Sequence, residues 1–228
     1  MASFFDIKPK AAAPGEASAD DIKGAVKALK ALAPVTCPDP NRGALCCVCV
    51  RERGGVPYAV ATDAHTLVAA RLGGGAGRAL LHATTDVILA AREAKICDDV
   101  YTTREGVALY VPRGCKARVG YDTPVPDFAL VMPSGRLALN SGAAFDSAVL
   151  RAADKAVAGL LEVPGVQCGT YPLGIAPYVM GDPGNITTAR VWRDGDLLAL
   201  VMPVCVDEYY VTTTREGVDN FFNGGSND

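Results

Sequence analysis

Histidine is nearly absent from this chain: two in 228 residues, His65 and His82. A metal centre built on several imidazoles is thereby excluded. Missing too are a G-x-S-x-G elbow for a nucleophilic serine and the Lys-Ser/Thr that would turn the run "GGGAG" into a phosphate loop. That glycine run reads as a flexible connection. No apolar stretch approaches the ~20 residues of a membrane span. The opening "MASFFDIKPK" has no charged segment followed by a long apolar one, so it does not read as a secretory signal. The expectation is a cytoplasmic protein that meets no membrane. A generally basic surface is also lacking, since 22 Lys and Arg stand against 25 Asp and Glu. That argues against coating nucleic acid, though not against a basic stripe on an acidic body.

Cysteine is plentiful, with eight residues, and Cys46 and Cys49 have C-x-x-C spacing in "LCCVCV". A structural zinc site needs a second pair, and the others are scattered singly. The segment reads instead as a buried strand in which Cys serves as a small hydrophobe. No metal or cofactor is expected.

Half of the residues are apolar and 21% are charged, the composition of a globular protein able to bury a core. Residues 1–17 read as a polar tail. Ser18 to Asp21 then offers capping oxygens to an amphipathic helix, "DDIKGAVKALKALA", with an apolar stripe of Ile22, Val26, Leu29 and Ala33. Strands follow in "ALCCVCVRER", "PYAVATD" and "HTLVAARL". A second helix fits "TTDVILAAREAKI", capped by Thr84 or Thr85. Strands come next in "DDVYTTREGVALYV" and "KARVGYDT", and a proline-rich boundary lies near 132–135. Beyond it come the strand "RLALN" and the helix "GAAFDSAVLRAADKAVAG", burying Phe145, Val149, Ala152 and Ala156. Strand-like "VPGVQCGTY" and "PYVMG" and a hairpin turning at Asp194–Gly195 complete the pattern. Helices mixed with antiparallel hairpins make the class α+β. The division is tail 1–17, one domain over 18–133, a shorter one over 134–206, and a tail over 207–228.

Two constellations could carry function. Asp63 and His65 in "YAVATDAHTLVAARL" could form an acid–imidazole pair. A turn after Asp63 would separate them, and a carboxylate capping the turn is the stronger reading. No enzyme is expected. Each of the three helices also carries clustered cations: Lys23, Lys27 and Lys30; Arg92 and Lys95; Arg151 and Lys155. Each cluster is spaced to share a face and could touch phosphates without reading bases, although Glu93 and Asp154 dilute it.

"YAVATDAHTLVAARL" resembles the "VATDGHRLA" segment in the middle domain of the bacterial DNA polymerase III β sliding clamp. Four further segments resemble that family in the same order. "NRGALCCVCV" is similar to a "TR-x-x-LNGV" strand, and "VGYDTPVPDFALVMP" to "LVDGRFPDYxxVIP". "RLALNSGAAFDSAVL" is similar to "EIGFNxxYLLDAL", and "GDLLALVMPVCV" to "YVVMPMRL". The resemblance implies a DNA-clamp fold of similar domains, with antiparallel sheets outside and helices on the inner face of a ring. This chain matches the middle and last domains, as a shortened, phage-type clamp would. Two domains per chain require three chains for a six-domain ring, hence a homotrimer. The implied function is a processivity factor that encircles duplex DNA and tethers a polymerase, with a clamp loader as a further partner. The alternative is a clamp-like peptide-binding adaptor or competitor that does not encircle DNA.

The family's hydrophobic peptide pocket, carried over by position, implies Leu45, Thr62, Ala64, His65, Thr66 and Leu67 on one side. Pro133, Val201, Met202, Pro203 and Val204 form the other, and Asn140 matches the family's "FN". Departures are evident: the family's Gly is Ala64, its Arg is Thr66, and "MRL" is "VCV". The last domain also lacks a convincing second helix after Ala158. Two features stay outside this scheme. Paired phenylalanines in "SFFDI" and "DNFF" resemble clamp-binding peptides, although ordinary docking onto the body is the simpler reading. "TTREGV" occurs at both Thr102–Val107 and Thr213–Val218 without evident chemistry.

Overall fold

The structure, a computed structural model, describes residues 17–128, 137–139, 145–167, 178–180 and 189–202; for 137–139, 178–180 and 189–194 it describes the backbone alone. The predicted boundary near 132–135, both phenylalanine tails and the second "TTREGV" lie outside these residues.

Helix α1, Ala19–Leu32, starts where a capping box predicts a start. Ser18 Oγ accepts from the Asp21 backbone N–H at 3.2 Å, and Asp21 Oδ2 accepts from the Ser18 N–H at 2.8 Å. After 3₁₀ turns at Ala33–Val35 and Pro40–Cys46 come three strands: β1 Val48–Arg53, β2 Val56–Thr62 and β3 Thr66–Arg71. Helices α2 Gly74–Leu81 and α3 Thr85–Glu93 lead to β4 Cys97–Thr102 and β5 Ala108–Pro112. The second half supplies β6 Leu137–Leu139, α4 Ser147–Leu160, β7 Tyr178–Met180, β8 Ala189–Asp194 and β9 Leu197–Val201. The α+β expectation holds, and the sheet is antiparallel throughout.

The nine strands among the described residues form one sheet in the order β4-β5-β1-β2-β3-β9-β8-β7-β6. The two halves of the chain meet where β3 pairs with β9, with Thr66 opposite Val201 and Ala70 opposite Leu197. Backbone bonds close this seam at both ends. The Met202 N–H donates to the His65 carbonyl at 2.8 Å, and the Arg71 N–H to the Asp196 carbonyl at 2.8 Å. Asp196 also holds the chain leaving α4, because the Gln167 N–H donates to its carboxylate at 3.1 Å.

Strand alternation sends one set of side chains to each face, and both faces are covered. Val48, Val50, Ala59, Ala61, Val68, Ala70, Ala108, Tyr110, Leu197, Ala199 and Val201 pack with the helices. Many of these are alanines, which lets helices lie close. Tyr110 crosses the layer, and its hydroxyl donates at 2.6 Å to the Leu80 carbonyl, which also accepts from the Ala83 N–H at 3.2 Å near the end of α2. On the other face Cys47, Cys49, Val60, Leu67, Leu109, Leu198 and Leu200 pack with Phe128 and with Cys115, Ala117, Val119 and Val125. Residues 113–128 thus form a strap over the outer face; "KARVGYDT" lies in it and is not the expected strand.

The glycine run is a further correction. "GGGAG" is not a flexible connection but the entry into α2, whose N-cap, Gly73, offers no capping side chain. The carboxylate of Asp21 fills that role from α1. It accepts from the Ala76 backbone and occupies the space a Cβ on Gly75 would need. Ser18 chiefly, with Ala76, holds its pKa below the ordinary carboxylate value. Its folded pKa is depressed, so this contribution is present above pH ~4 and lost as pH falls through the lowered value.

The same tightness explains why the α1 stripe is wider than predicted. Leu29 is buried, but Ile22, Val26 and Ala33 are half-buried, while Gly24, Ala25, Ala28, Ala31 and Leu32 pack inside. Both α2 and α4 press on α1, and a Cβ on Gly159 would stand 2.8 Å from Ala31 Cβ. In α4, Ala153, Ala156, Val157 and Leu160 are buried, whereas Val149 and Ala152 are only half-buried, and Phe145, also half-buried, precedes the N-cap Asp146 rather than lying on the helix. Ala44 to Cys46 belong to the 3₁₀ turn rather than to the expected strand, and residues 163–167 form turns.

Gly77 is the sharpest test of this packing. An added Cβ would stand 2.5 Å from Pro57 Cγ and 2.6 Å from the Leu72 carbonyl oxygen. Gly77→Ala should lower stability in urea unfolding by about 1–3 kcal/mol, although alanine improves helix propensity by about 1 kcal/mol. A variant as stable as the parent would contradict the close contact between α2 and β2.

Candidate functional site

The β2–β3 hairpin turn is built from its own side chains. Asp63 Oδ1 accepts from the backbone N–H of His65 at 2.8 Å and of Thr66 at 2.6 Å. Thr62 Oγ1 accepts from the Ala64 N–H at 3.1 Å. Ala64 takes the left-handed backbone, φ 81°, where glycine would sit without strain. The acid of the Asp63/His65 pair is therefore engaged in holding the turn, as the turn-capping reading expects, and His65 is exposed.

Antiparallel alternation sets the start of β1, the end of β2, the start of β3 and the end of β9 at one end of the sheet. Thr62, Ala64, His65, Thr66, Leu67, Val201 and Met202 come together there. Leu45, half-buried, precedes β1 at the same end, and its carbonyl accepts from the Cys37 N–H at 2.8 Å. Pro133, Asn140, Pro203 and Val204 lie outside the described residues.

The assembled residues divide between the two faces. Thr62 and Leu67 are register partners on the outer face, while Thr66 and Val201 are partners on the helical face. Thr66, Leu67 and Val201 are buried; Ala64 and His65 are exposed, and Met202 is half-buried. What this end of the sheet offers a ligand is the turn and Met202, backed by a buried apolar wall. Thr66 Oγ1 is buried without a hydrogen-bond partner among the described residues. It occupies the position where the resembling family carries arginine.

The seven predicted cations are all exposed, but Lys95 is not on a helix: α3 ends at Glu93, and Lys95 takes the left-handed backbone, φ 57°, in the turn that follows. Lys23 pairs with Asp20 at 3.3 Å, Arg92 with Asp99 at 3.3 Å, and Arg151 donates to Ser147 Oγ at 3.4 Å. Lys27, Lys30, Lys95 and Lys155 make no ion pair among the described residues. Helix α1 lies between α4 on one side and α2 and α3 on the other, so Lys27 and Lys30 sit on the central helix of that layer.

The cysteines behave as apolar side chains. Cys47 and Cys49 face the outer core; burial pushes the Cys49 thiol up to about 12 and the Cys47 thiol still higher. Among the described residues no group of His, Cys, Asp and Glu is arranged to hold a metal ion. No helix among them is long and apolar enough to cross a membrane.

No protein-family model matches this chain, and no curated protein matches it. Among solved structures it is similar to a β sliding clamp of C. crescentus with polyethylene glycol bound to its putative β-motif tethering region. The identity is 16% over 85% of this chain and 68% of that one, at a TM-score of 0.40. It is similar also to a DNA polymerase sliding clamp from Pseudomonas aeruginosa, with 16% identity over 88% and 69% of the two chains and a TM-score of 0.40. A likeness at this level leaves fold and function to be argued from the chain itself.

The unpartnered Thr66 hydroxyl gives the prediction here. A buried hydroxyl without a partner costs about 1–3 kcal/mol, so the near-isosteric Thr66→Val should raise stability by about 1 kcal/mol. Asp63→Ala, which strips two backbone N–H groups of their acceptor, should lower it by about 1–3 kcal/mol. Urea midpoints measure both, and a destabilised Thr66→Val would mean that the hydroxyl has a partner after all.

Proposed function

We propose that this chain is a sliding-clamp-like processivity factor: it encircles duplex DNA as a homotrimer and holds a polymerase tail at the β2–β3 turn. The observation that carries the proposal is that the helices pack on one face of a continuous sheet, with Lys27 and Lys30 exposed on the central helix. A layer of this kind can meet phosphates through point charges while the sheet faces away. Five resembling segments, in order from 41 to 206, support the same reading. So does the meeting of the turn with Met202 across the β3–β9 seam.

Ring closure needs free edges. Among the described residues β4 and β6 each have a single neighbour and end the sheet. An edge strand is a template for pairing with another chain, and β4 of one copy with β6 of the next would join three chains head to tail. In this reading residues 18–133 and 134–206 each form one clamp unit. The second contributes one helix among its described residues, where the first contributes three. That imbalance favours one other reading, a peptide-binding module that does not encircle DNA.

The peptide slot uses the accessible residues of the site. The His65 imidazole and the Met202 side chain grip an apolar anchor against the wall that Leu67 helps to form. No catalytic step is assigned to any of these residues.

Light scattering should give the mass of three chains, and nicked circular duplex should retain the protein until it is linearised. Lys27→Glu with Lys30→Glu should abolish that retention and leave the mass unchanged. A strict monomer that ignores circular DNA would rule out the ring. His65→Ala or Met202→Ala should weaken a polymerase-tail peptide at least tenfold without changing the unfolding midpoint. Unchanged affinity would remove the slot.

A further inference from the structure

The processivity reading makes no use of the thiols at the same end of the sheet. Cys46 closes the 3₁₀ turn before β1, and Cys115 opens the outer strap after β5, 69 positions later in the sequence. The fold brings them together. Cys115 Sγ donates to the Cys46 carbonyl oxygen at 3.9 Å, and the Cys46 thiol beside it donates to the Asp39 carbonyl at 2.8 Å. Neither is in a disulfide, and their exposure is unequal: Cys46 is buried, Cys115 half-buried. A half-buried thiol beside a buried one is the layout of a pair in which the outer sulfur meets an oxidant and the inner one resolves it.

We infer that Cys115 and Cys46 form an oxidisable pair that takes a peroxide as co-substrate and staples the outer strap to the start of β1. Cys115, as the thiolate, attacks one peroxide oxygen, becomes a sulfenic acid and releases hydroxide. The Cys46 sulfur, giving up its proton, then attacks the sulfenic sulfur; the S–S bond forms and water leaves. Two sulfurs are oxidised by one electron each, and one hydrogen peroxide is reduced to two waters. Burial, with the neighbouring Cys115 and Cys37 thiols adding to it, pushes the Cys46 thiol up to about 11, which slows the second step.

The staple has a mechanical consequence. The strap reaches the outer core through Cys115, Ala117, Val119, Val125 and Phe128, and its first residue is tied to the sheet by the Arg113 N–H, which donates to the Ile96 carbonyl at 2.9 Å. The Gly114 N–H donates to Asp98 at 2.8 Å, and the Arg118 N–H to the Pro40 carbonyl at 3.3 Å. A Cys46–Cys115 bond fixes the strap to β1 next to both contacts. Trypsin, which cuts at Arg113, Lys116 and Arg118, reads that change directly.

The experiment treats the full-length protein with a small excess of hydrogen peroxide, traps free thiols with an alkylating agent, and maps peptides without reduction. The expected result is a Cys46–Cys115 peptide, a loss of two hydrogens in intact mass, at least tenfold slower tryptic cleavage of the strap, and reversal by dithiothreitol. Cys115→Ser should fold as the parent does and lack both crosslink and protection. Three outcomes would overturn the inference. They are a bond from Cys115 to Cys37 or Cys47, stable sulfinic acid at Cys115 with Cys46 still alkylated, and no peroxide-dependent change in either thiol.

Discussion

The pairing of β3 with β9 is the constraint on which the rest of the molecule depends. Five register pairs join strands that lie more than a hundred residues apart in sequence. They turn two groups of strands into one sheet, and α4 then packs over both β3 and β9 while also lying against α1. Without the ladder, Leu197, Ala199 and Val201 would have no helical layer to enter, and Leu198 and Leu200 would leave the outer core. The ordering entropy of so long a loop is set against that burial. The backbone bonds from Met202 to His65 and from Arg71 to Asp196 keep the ladder from fraying at its ends.

The helical layer meets this sheet through small side chains. Alanine and glycine line α1, α2 and α4 at their contacts, so the backbones approach closely and each element constrains its neighbours. Asp21 shows how one residue serves two elements, closing the capping box of α1 and receiving the start of α2. Cations on such a layer are left on its outer surface because no space exists between the helices.

Much of the local structure is legible in the sequence, because its signals are local. Ser18 and Thr84 each accept a backbone N–H at a helix start, and the apolar runs of β2 and β3 are plain, whereas Asp146 caps a helix expected to begin at Gly142. The turn at Asp63 is legible too, since an Asp two and three residues before free N–H groups is a local device. What escapes is set by distant partners. Three consecutive glycines look like a linker until Asp21, more than fifty residues earlier, supplies the cap that α2 lacks. "KARVGYDT" alternates like a strand, yet β5 already pairs with β1 and β4, and the segment is laid across the outer core. For the candidate site, the segments that meet at the sheet end follow from resemblance. Their division between two faces, with Thr66 and Val201 on one and Thr62 and Leu67 on the other, needs the register of the β3–β9 ladder.

The functional reading rests on the same ladder, since it alone brings the His65 turn to Met202 and extends one helical layer across both halves. Native-state amide hydrogen exchange probes it most directly. The β9 amides that face β3 should exchange only through the same global opening as those of β2 and β3, with equal free energies and equal dependence on denaturant. Exchange of β9 through a separate, low-energy opening, while β1 to β3 stay protected, would contradict the account: the halves would then be independent units and the sheet-end site would have no fixed second wall.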